Sequence, residues 1–222
     1  MTLADMIERI LENVSKDVRL RISSIEVSEI DDHLIRLMKN DSRIAKHFHI
    51  PLQSGSDEIL RAMNRPYSCE EFLRKIDDIR KEIPEISIST DLIVGFPGES
   101  EALFEETCTF LKKCAFSFLH VFPFSLRSGT KAAQMVDQVS SQIKKERVKK
   151  CLSISQNLYQ DFTKSWFNKT VRVLVEKNSE NDSFGHSSNY LPIKINAKAP
   201  HGEFVDVIVK GMEGEILLAE MK

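Results

Sequence analysis

From Asp17 to about Ser125 the apolar positions switch back and forth between two periods. Val18 to Glu26 places them at every second residue, the period of a half-buried strand. Ser28 then stands as a cap ahead of a helical pattern over Glu29 to Lys39. Lys46 to Leu52 predicts the next strand, followed by a short helix around Asp57 to Met63. Ser68 and Glu71 form a capping-box pattern before a helix that buries Phe72, Leu73, Ile76, Ile79 and Ile83 and stops at Pro84. Ile86 to Val94 is a third predicted strand. Ser100 caps a helix carrying Leu103, Phe104, Thr107, Leu111 and Cys114, and Phe116 to Phe124 is a fourth strand. Strands separated by helices of this length imply right-handed parallel crossovers.

The two ends read differently. Leu3, Met6, Ile7, Ile10, Leu11 and Val14 give an amphipathic helix with no strand before it. After Thr130 the pattern becomes one long polar helix from Ser140 to about Asn168. Val171 to Glu176 and Phe204 to Val209 then alternate at period two. Asn178 to Asn189, rich in Asn, Ser and Asp, reads as a hairpin loop. Five short strands over residues 170–222 predict a small β-barrel of oligonucleotide-binding type. The expected division is an α/β unit over 1–139, a connecting helix over 140–169 and the barrel over 170–222.

Composition narrows the class. The 222 residues carry a net charge of −2, with 41% hydrophobic and 29% charged residues, so the chain as a whole has no electrostatic pull toward nucleic acid or anionic lipid. No apolar run reaches the length of a membrane span, and acidic residues interrupt Met1 to Lys16, which excludes a signal or transit peptide. A cytoplasmic location is expected. Cys69, Cys108, Cys114 and Cys151 lack metal-ligand spacing, and Cys108 and Cys114 are expected to pack as small hydrophobes; no metal site is predicted. His47 and His49 share one strand face without a third ligand, so they read as a packed or substrate-facing pair. Phe116, Phe118, Phe122 and Phe124 read as core at strand period.

Charge is uneven along the chain. The long helix, to Lys169, has seven basic and two acidic residues, a net of +5. Lys145, Lys149 and Lys150 are therefore candidates for RNA phosphates, against the alternative of a solvated face. The terminal barrel has six basic and eight acidic residues, a net of −2, leaving Arg172, Lys194 and Lys198 as local candidates.

Two segments carry the chemistry. His47-Phe-His-Ile-Pro-Leu-Gln-Ser-Gly-Ser-Asp57 and Thr90-Asp-Leu-Ile-Val-Gly-Phe-Pro-Gly-Glu99 are apolar runs that end in polar residues and glycine before a helix. In a β/α barrel that junction lies at the carboxyl end of the strands, where ligands bind. Gly95 and Gly98 allow close backbone approach, and Pro97 stiffens the turn. Gln53 and Ser54 are hydrogen-bonding candidates, with helix capping before Asp57 as the alternative. Arg127 suits a carboxylate. Glu26 and Asp91 sit on strands, either toward a ligand or in a buried ion pair with Arg21.

These runs, with Arg21 to Glu26, Met63 to Tyr67, His120 to Ser125 and Arg127 to Thr130 in this order, resemble the radical S-adenosylmethionine (SAM) methylthiotransferases. Ser23 to Glu26 and His120 to Pro123 are most similar to the subgroup that adds a methylthio group to carbon 2 of N6-threonylcarbamoyladenosine beside the tRNA anticodon. The resemblance implies a partial, open radical-SAM β/α barrel followed by a TRAM-like RNA-binding barrel. It implies SAM bound by Glu26, Gln53, Ser54, Asp91, Ile93, Gly95, Pro97, Gly98 and Arg127, 4Fe–4S clusters in the full-length enzyme, and the tRNA anticodon stem-loop as partner. The family's Cys-x-x-x-Cys-x-x-Cys loop does not occur here. The expectation is therefore a carboxyl-terminal portion that is inactive alone, whether a split gene, a truncated product or an excised fragment. The alternative is a non-catalytic RNA-binding or SAM-binding module that completes an enzyme with a separate amino-terminal chain.

Overall fold

A computed structural model describes all residues, Met1–Lys222. Helix α1 (Leu3–Asn13) starts at a reciprocal Thr2–Asp5 capping box and buries Ala4, Ile7 and Leu11. Helix α2 (Asp32–Asn40) is followed by β1 (His47–His49), α3 (Asp57–Ala62), α4 (Cys69–Glu82), β2 (Ser87–Val94), α5 (Glu101–Cys114) and β3 (Phe118–Pro123). The three strands form one parallel sheet in the order β1-β2-β3, so each connection is a crossover, as the alternating pattern predicts. Ser68 with Glu71, and Ser100, cap α4 and α5 as expected. The helices bury a core of 31 residues built on Phe48, Phe72, Phe104 and Phe116.

Two readings near the amino terminus are corrected. Val18 to Glu26 is not a strand. It touches the sheet edge only at two isolated bridges, Leu20 with Ile44 and Ser24 with His49. Three residues lie between the bridges on one side and four on the other, so the register slips and no continuous ladder forms. Leu20 packs against the core and Ile22 lies in it, which is why the segment alternates, and Ile25 joins them one residue out of period. The next helix begins later than predicted: Val27–Glu29 is a 3₁₀ turn, and Asp31, not Ser28, caps α2 by accepting the Leu34 amide proton at 2.7 Å.

Beyond β3, a short α6 (Lys131–Gln134) leads to α7 (Ser141–Lys164), capped by Ser140. The terminal residues form β4 (Thr170–Asn178), β5 (Ser183–Ser187), β6 (Pro192–Ile195), β7 (Phe204–Glu213) and β8 (Ile216–Met221). They close into a five-stranded barrel in the order β4-β5-β6-β8-β7 around a second core of 12 residues. Strand β5 falls inside the stretch expected to be a loop. Its inward residues are Ser183, Gly185 and Ser187, which leave no apolar alternation to read. Gly185 is required there: a Cβ would lie 1.8 Å from the Leu174 carbonyl oxygen.

Helix α7 is more than a connector. Its Cys151 and Ile154 belong to the first core, and its Tyr159 to the second. The two units also bond directly at the amino ends of the parallel strands. Lys46 donates its amide proton to the Ser188 carbonyl at 2.6 Å, and Arg19 donates to the His186 carbonyl at 2.8 Å. No helix is long and apolar enough to cross a membrane.

Candidate functional site

The parallel sheet presents one row of side chains to what would be a barrel interior. Register places His47 beside Ser87, His49 beside Ser89, Asp91 beside His120 and Ile93 beside Phe122. Because side chains alternate, Ser87, Ser89, Asp91 and Ile93 of β2 face one way. Past β1 the chain bridges back to β2 at Gln53–Leu92, with Gln53 accepting from the Ile93 amide and donating its own amide to the Asp91 carbonyl, both at 2.9 Å. Gln53 adopts φ 69°, a left-handed backbone that a non-glycine residue holds only at a cost of about 1–3 kcal/mol.

At the carboxyl ends of the strands this row opens into a cavity of about 540 Å³. Gln53, Asp91, Ile93 and Arg127 line it, so four of the nine expected SAM residues converge. Phe122, Pro123, Phe124, Ser125, Thr130 and Ala132 complete the wall. Phe122 is 50% exposed, so it and Phe124 form an apolar wall of this cavity and are not core as their period suggested; Phe116 is fully buried as expected. Strand period alone does not distinguish a core from a cavity lining.

The glycine turn is held from behind. Gly95 donates its amide proton to Glu99 Oε2 at 2.6 Å, and Arg147 of α7 donates to the same oxygen at 2.7 Å and to the Glu99 carbonyl at 2.9 Å. Burial pushes the Glu99 carboxyl up, while the Gly95 amide and the Arg147 guanidinium pull against that rise. Gly95 takes φ +74°, and Lys144 crosses directly over it: a Cβ would sit 2.4 Å from the lysine chain. Lys144 donates to the Phe124 carbonyl at 3.0 Å, tying the turn to the cavity wall. Pro97 is buried within the turn, while Gly98 is exposed, with its amide on the Asp137 carbonyl.

Other candidates lie elsewhere. Ser54 is fully buried against α5, its hydroxyl 3.4 Å from that of Thr107, and does not line the cavity. Glu26 pairs with Arg65 at 3.1 Å, and Asp91 pairs with His49 at 3.2 Å, so Arg21 is the partner of neither. Arg21 lies instead over the Tyr190 ring at 4.0 Å.

The four cysteines do not fit an iron–sulfur cluster. Cys108, Cys114 and Cys151 are buried in the first core, and Cys69 opens α4. Burial pushes the Cys114 thiol up to about 12 and raises Cys69 as well, which opposes the thiolate a cluster needs. A cluster the sequence did not suggest joins Asp5, Glu8 and His33 near α1; all three are partly exposed and are accounted for as ion pairs, at 3.6 and 2.9 Å to the histidine.

The basic helix is less free than its sequence. Arg147 is buried, Lys150 pairs with Glu105, and Lys144 covers Gly95. Lys145 and Lys149 are exposed without ion pairs. On the barrel, Lys194 pairs with Asp182 at 3.0 Å. Arg172 and Arg19 flank the Phe204 ring at 5.0 and 4.7 Å, and Lys198 is exposed.

Parallel strands joined by helices, with a glycine turn at their carboxyl ends, agree with sequence and fold comparison. The chain belongs to the radical SAM superfamily, whose pattern matches residues 2–111. Among solved structures, coproporphyrinogen III oxidase (HemN) from Escherichia coli shares the fold, with a TM-score of 0.56 at 18% identity over 70% of this chain and 36% of that one. Within the superfamily the chain's sequence relatives are tRNA methylthiotransferases. It is 40% identical over 79% of its length to the threonylcarbamoyladenosine tRNA methylthiotransferase MtaB of Bacillus subtilis, covering 40% of that protein. It is 39% identical over 96% of its length to the MtaB of Rickettsia prowazekii, covering 49%. The tRNA-2-methylthio-N(6)-dimethylallyladenosine synthase of Methylacidiphilum infernorum is 36% identical over 89% of the chain, which covers 43% of it. The chain thus spans less than half the length of these relatives.

Proposed function

We propose that this chain is the carboxyl-terminal portion of a tRNA methylthiotransferase acting on threonylcarbamoyladenosine, and that its cavity takes SAM. One observation carries the reading: Gln53, Asp91, Ile93 and Arg127, distant in sequence, surround one cavity at the carboxyl ends of parallel strands. Gln53 and Arg127 supply hydrogen bonds for a ribose or a carboxylate, Ile93 and Phe122 supply apolar surface for a base, and the Gly95–Glu99 turn is fixed behind them. SAM contributes the methyl and radical chemistry when bound with a reduced cluster; the chain's residues bind and orient it.

The cluster ligands have to come from a segment or chain bearing the missing cysteine loop, and the chain alone is inactive. Support for that comes from the buried thiols and from the chain's span of less than half its relatives. The same observations favour a second reading, a SAM-binding or RNA-binding module completing a split enzyme in the cytoplasm. The five-stranded barrel is the candidate TRAM-like module, and Lys145, Lys149, Arg172 and Lys198 are the basic residues left for the anticodon stem-loop.

Calorimetric titration of SAM tests the cavity, with the cluster-bearing part supplied if affinity requires it. Gln53→Ala and Arg127→Ala each lose about 1–3 kcal/mol, since each removes a polar partner from a desolvated ligand. Ser54→Ala, facing Thr107, leaves affinity unchanged. Unaltered binding in both cavity variants refutes the assignment.

A further inference from the structure

A second cavity, of about 230 Å³, lies at the opposite end of the sheet, where the two units meet. His47, His49, Ser87 and Ser89 form its sheet wall, and Tyr190, His186 and Glu215 of the terminal barrel close it. The two cavities are joined by side chains. His47 Nε2 is 3.1 Å from Ser89 Oγ, Ser89 Oγ is 2.9 Å from His49 Nδ1, and His49 Nε2 is 3.2 Å from Asp91 Oδ2. Asp91 lines the candidate SAM cavity. We propose that His47, Ser89, His49 and Asp91 form a proton relay from the chamber at the domain junction to the candidate reaction cavity.

The direction of the relay follows from counting protons. The Asp91 carboxylate stands against His49 Nε2 at 3.2 Å, off the line of a straight hydrogen bond; a lone pair there would face a negative oxygen, so His49 carries its proton on Nε2 and its Nδ1 is a lone pair. That lone pair takes the single Ser89 hydroxyl proton. The Ser89 oxygen is then left to accept, so His47 donates from Nε2, and His47 Nδ1 is a lone pair as well. This atom is the one the structure leaves buried with no hydrogen-bond partner, and His47 is only 4% exposed and lines the chamber. Every donor in the chain therefore points toward Asp91, and the far end is an unpaired acceptor on a residue that lines the chamber.

The relay draws its proton from the chamber side. One proton arriving at His47 Nδ1 lets the Nε2 proton pass to Ser89, the Ser89 proton pass to His49 Nδ1, and the His49 Nε2 proton pass to the Asp91 carboxylate. One proton enters and one is delivered; both rings stay neutral but change tautomer from Nε2–H to Nδ1–H, and the Ser89 hydroxyl turns toward His47. The return passage reverses the same bonds and restores the tautomers, so Asp91 is linked to the chamber as well as to the cavity it lines. Arg21, Tyr190 and His186 face the His47 end with Glu215 at the chamber wall, and His120 stands 5.5 Å from His49. Burial first, and then the Arg21 guanidinium and His49, disfavour a resting charge on His47, so that ring idles neutral. The inference deepens the functional reading, because it gives Asp91 a proton supply, but its test needs no cofactor.

The test is long-range proton–nitrogen NMR on the whole chain labelled with 15N-histidine and 13C-aspartate. At neutral pH both rings are expected with protonated Nε2 and a bare, pyridine-type Nδ1. On acidification, the tautomer signals of the His47 and His49 rings are expected to change along one common curve, because Ser89 joins them. Ser89→Ala separates that curve into two and Ser89→Thr restores it, a pattern that a merely structural hydroxyl does not produce. A protonated His47 Nδ1 at neutral pH overturns the proposal and is read on the unmutated chain, so it does not depend on the variant folding. Unchanged co-titration in Ser89→Ala overturns it equally. Loss of SAM binding alone bears on the cavity and leaves the relay standing.

Discussion

Arg147, seven residues into α7, forms a buried ion pair with Glu99 at the end of the glycine turn, nitrogen to oxygen 2.7 Å. The arginine side chain is 5% exposed and the glutamate fully enclosed, so neither has water to fall back on. The same carboxylate fixes the Gly95 amide, so the pair sets the turn's backbone as well as its own geometry.

Arg147→Ala therefore strands a buried carboxylate, and a loss of about 3–5 kcal/mol in unfolding free energy is expected. Arg147→Met with Glu99→Gln removes both charges and recovers part of it. Urea titration of the three proteins measures this. A single variant within about 1 kcal/mol of the parent, the scale of an exposed pair, would show the pair to be solvated.

His47 gives the fold an acid limit. Its folded pKa is lowered to about 3, first by burial and then by Arg21 and His49. Below the ordinary histidine value near 6.5 the unfolded chain takes up a proton that the folded chain refuses. Stability is thus full above that value and falls as pH drops through it toward 3, by up to about 1.4 kcal/mol per pH unit. Replacing His47 with Gln flattens this slope, and denaturant midpoints between about pH 7 and 4 read it. A parallel pair of curves counts against the assignment.

The cysteines should behave as core residues. Anaerobic reconstitution of the chain alone is expected to give no stoichiometric cluster, and thiol reagents are expected to label Cys114 and Cys151 only after denaturant is added. Iron and sulfide analysis decides the first point and labelling kinetics the second. About four irons per chain, abolished when these cysteines are replaced, would reverse the conclusion.

Phosphate binding should follow the free lysines, not the total charge. Lys145→Glu with Lys149→Glu is expected to weaken anticodon stem-loop binding and to reduce its salt slope by about 1 for each lysine that engages a phosphate. Lys150→Glu is expected to do less, because Lys150 already pairs with Glu105. Lys194, held by Asp182, should rank with it. Filter binding across salt concentrations compares them. A larger loss from Lys194→Glu with Lys198→Glu would place the grip on the barrel.

Much of the fold was legible because burial and period coincide. Phe72, Ile76 and Ile79 mark α4, and Ser68, Ser100 and Ser140 mark where helices start. The misses have physical causes. Leu20 and Ile22 alternate like a strand but lie along an edge where the register slips. Strand β5 buries Ser183 and Ser187, whose hydroxyls are satisfied internally, so hydropathy hides it. At the candidate site, Gln53, Asp91 and Ile93 stood near predicted strand ends and Arg127 came only as a carboxylate partner and through the resemblance, whereas Phe122 and Lys144 were not anticipated. Their roles depend on which side of the sheet remains open and on where α7 returns. The relay was half visible: His47 and His49 share a face by period, but Ser89 between them is fixed only by the β1–β2 register.

Helix α7 places Cys151 and Ile154 in one core and Tyr159 in the other. The consequence is for modularity. A graft that joins the terminal barrel to another host at residue 169 leaves Tyr159 behind and exposes the barrel's base. A cut at Ser140 keeps the barrel whole but takes Arg147 and Lys144 away from the glycine turn. Neither seam is silent, so the barrel and the α/β unit are exchangeable between relatives only together with the helix that serves both.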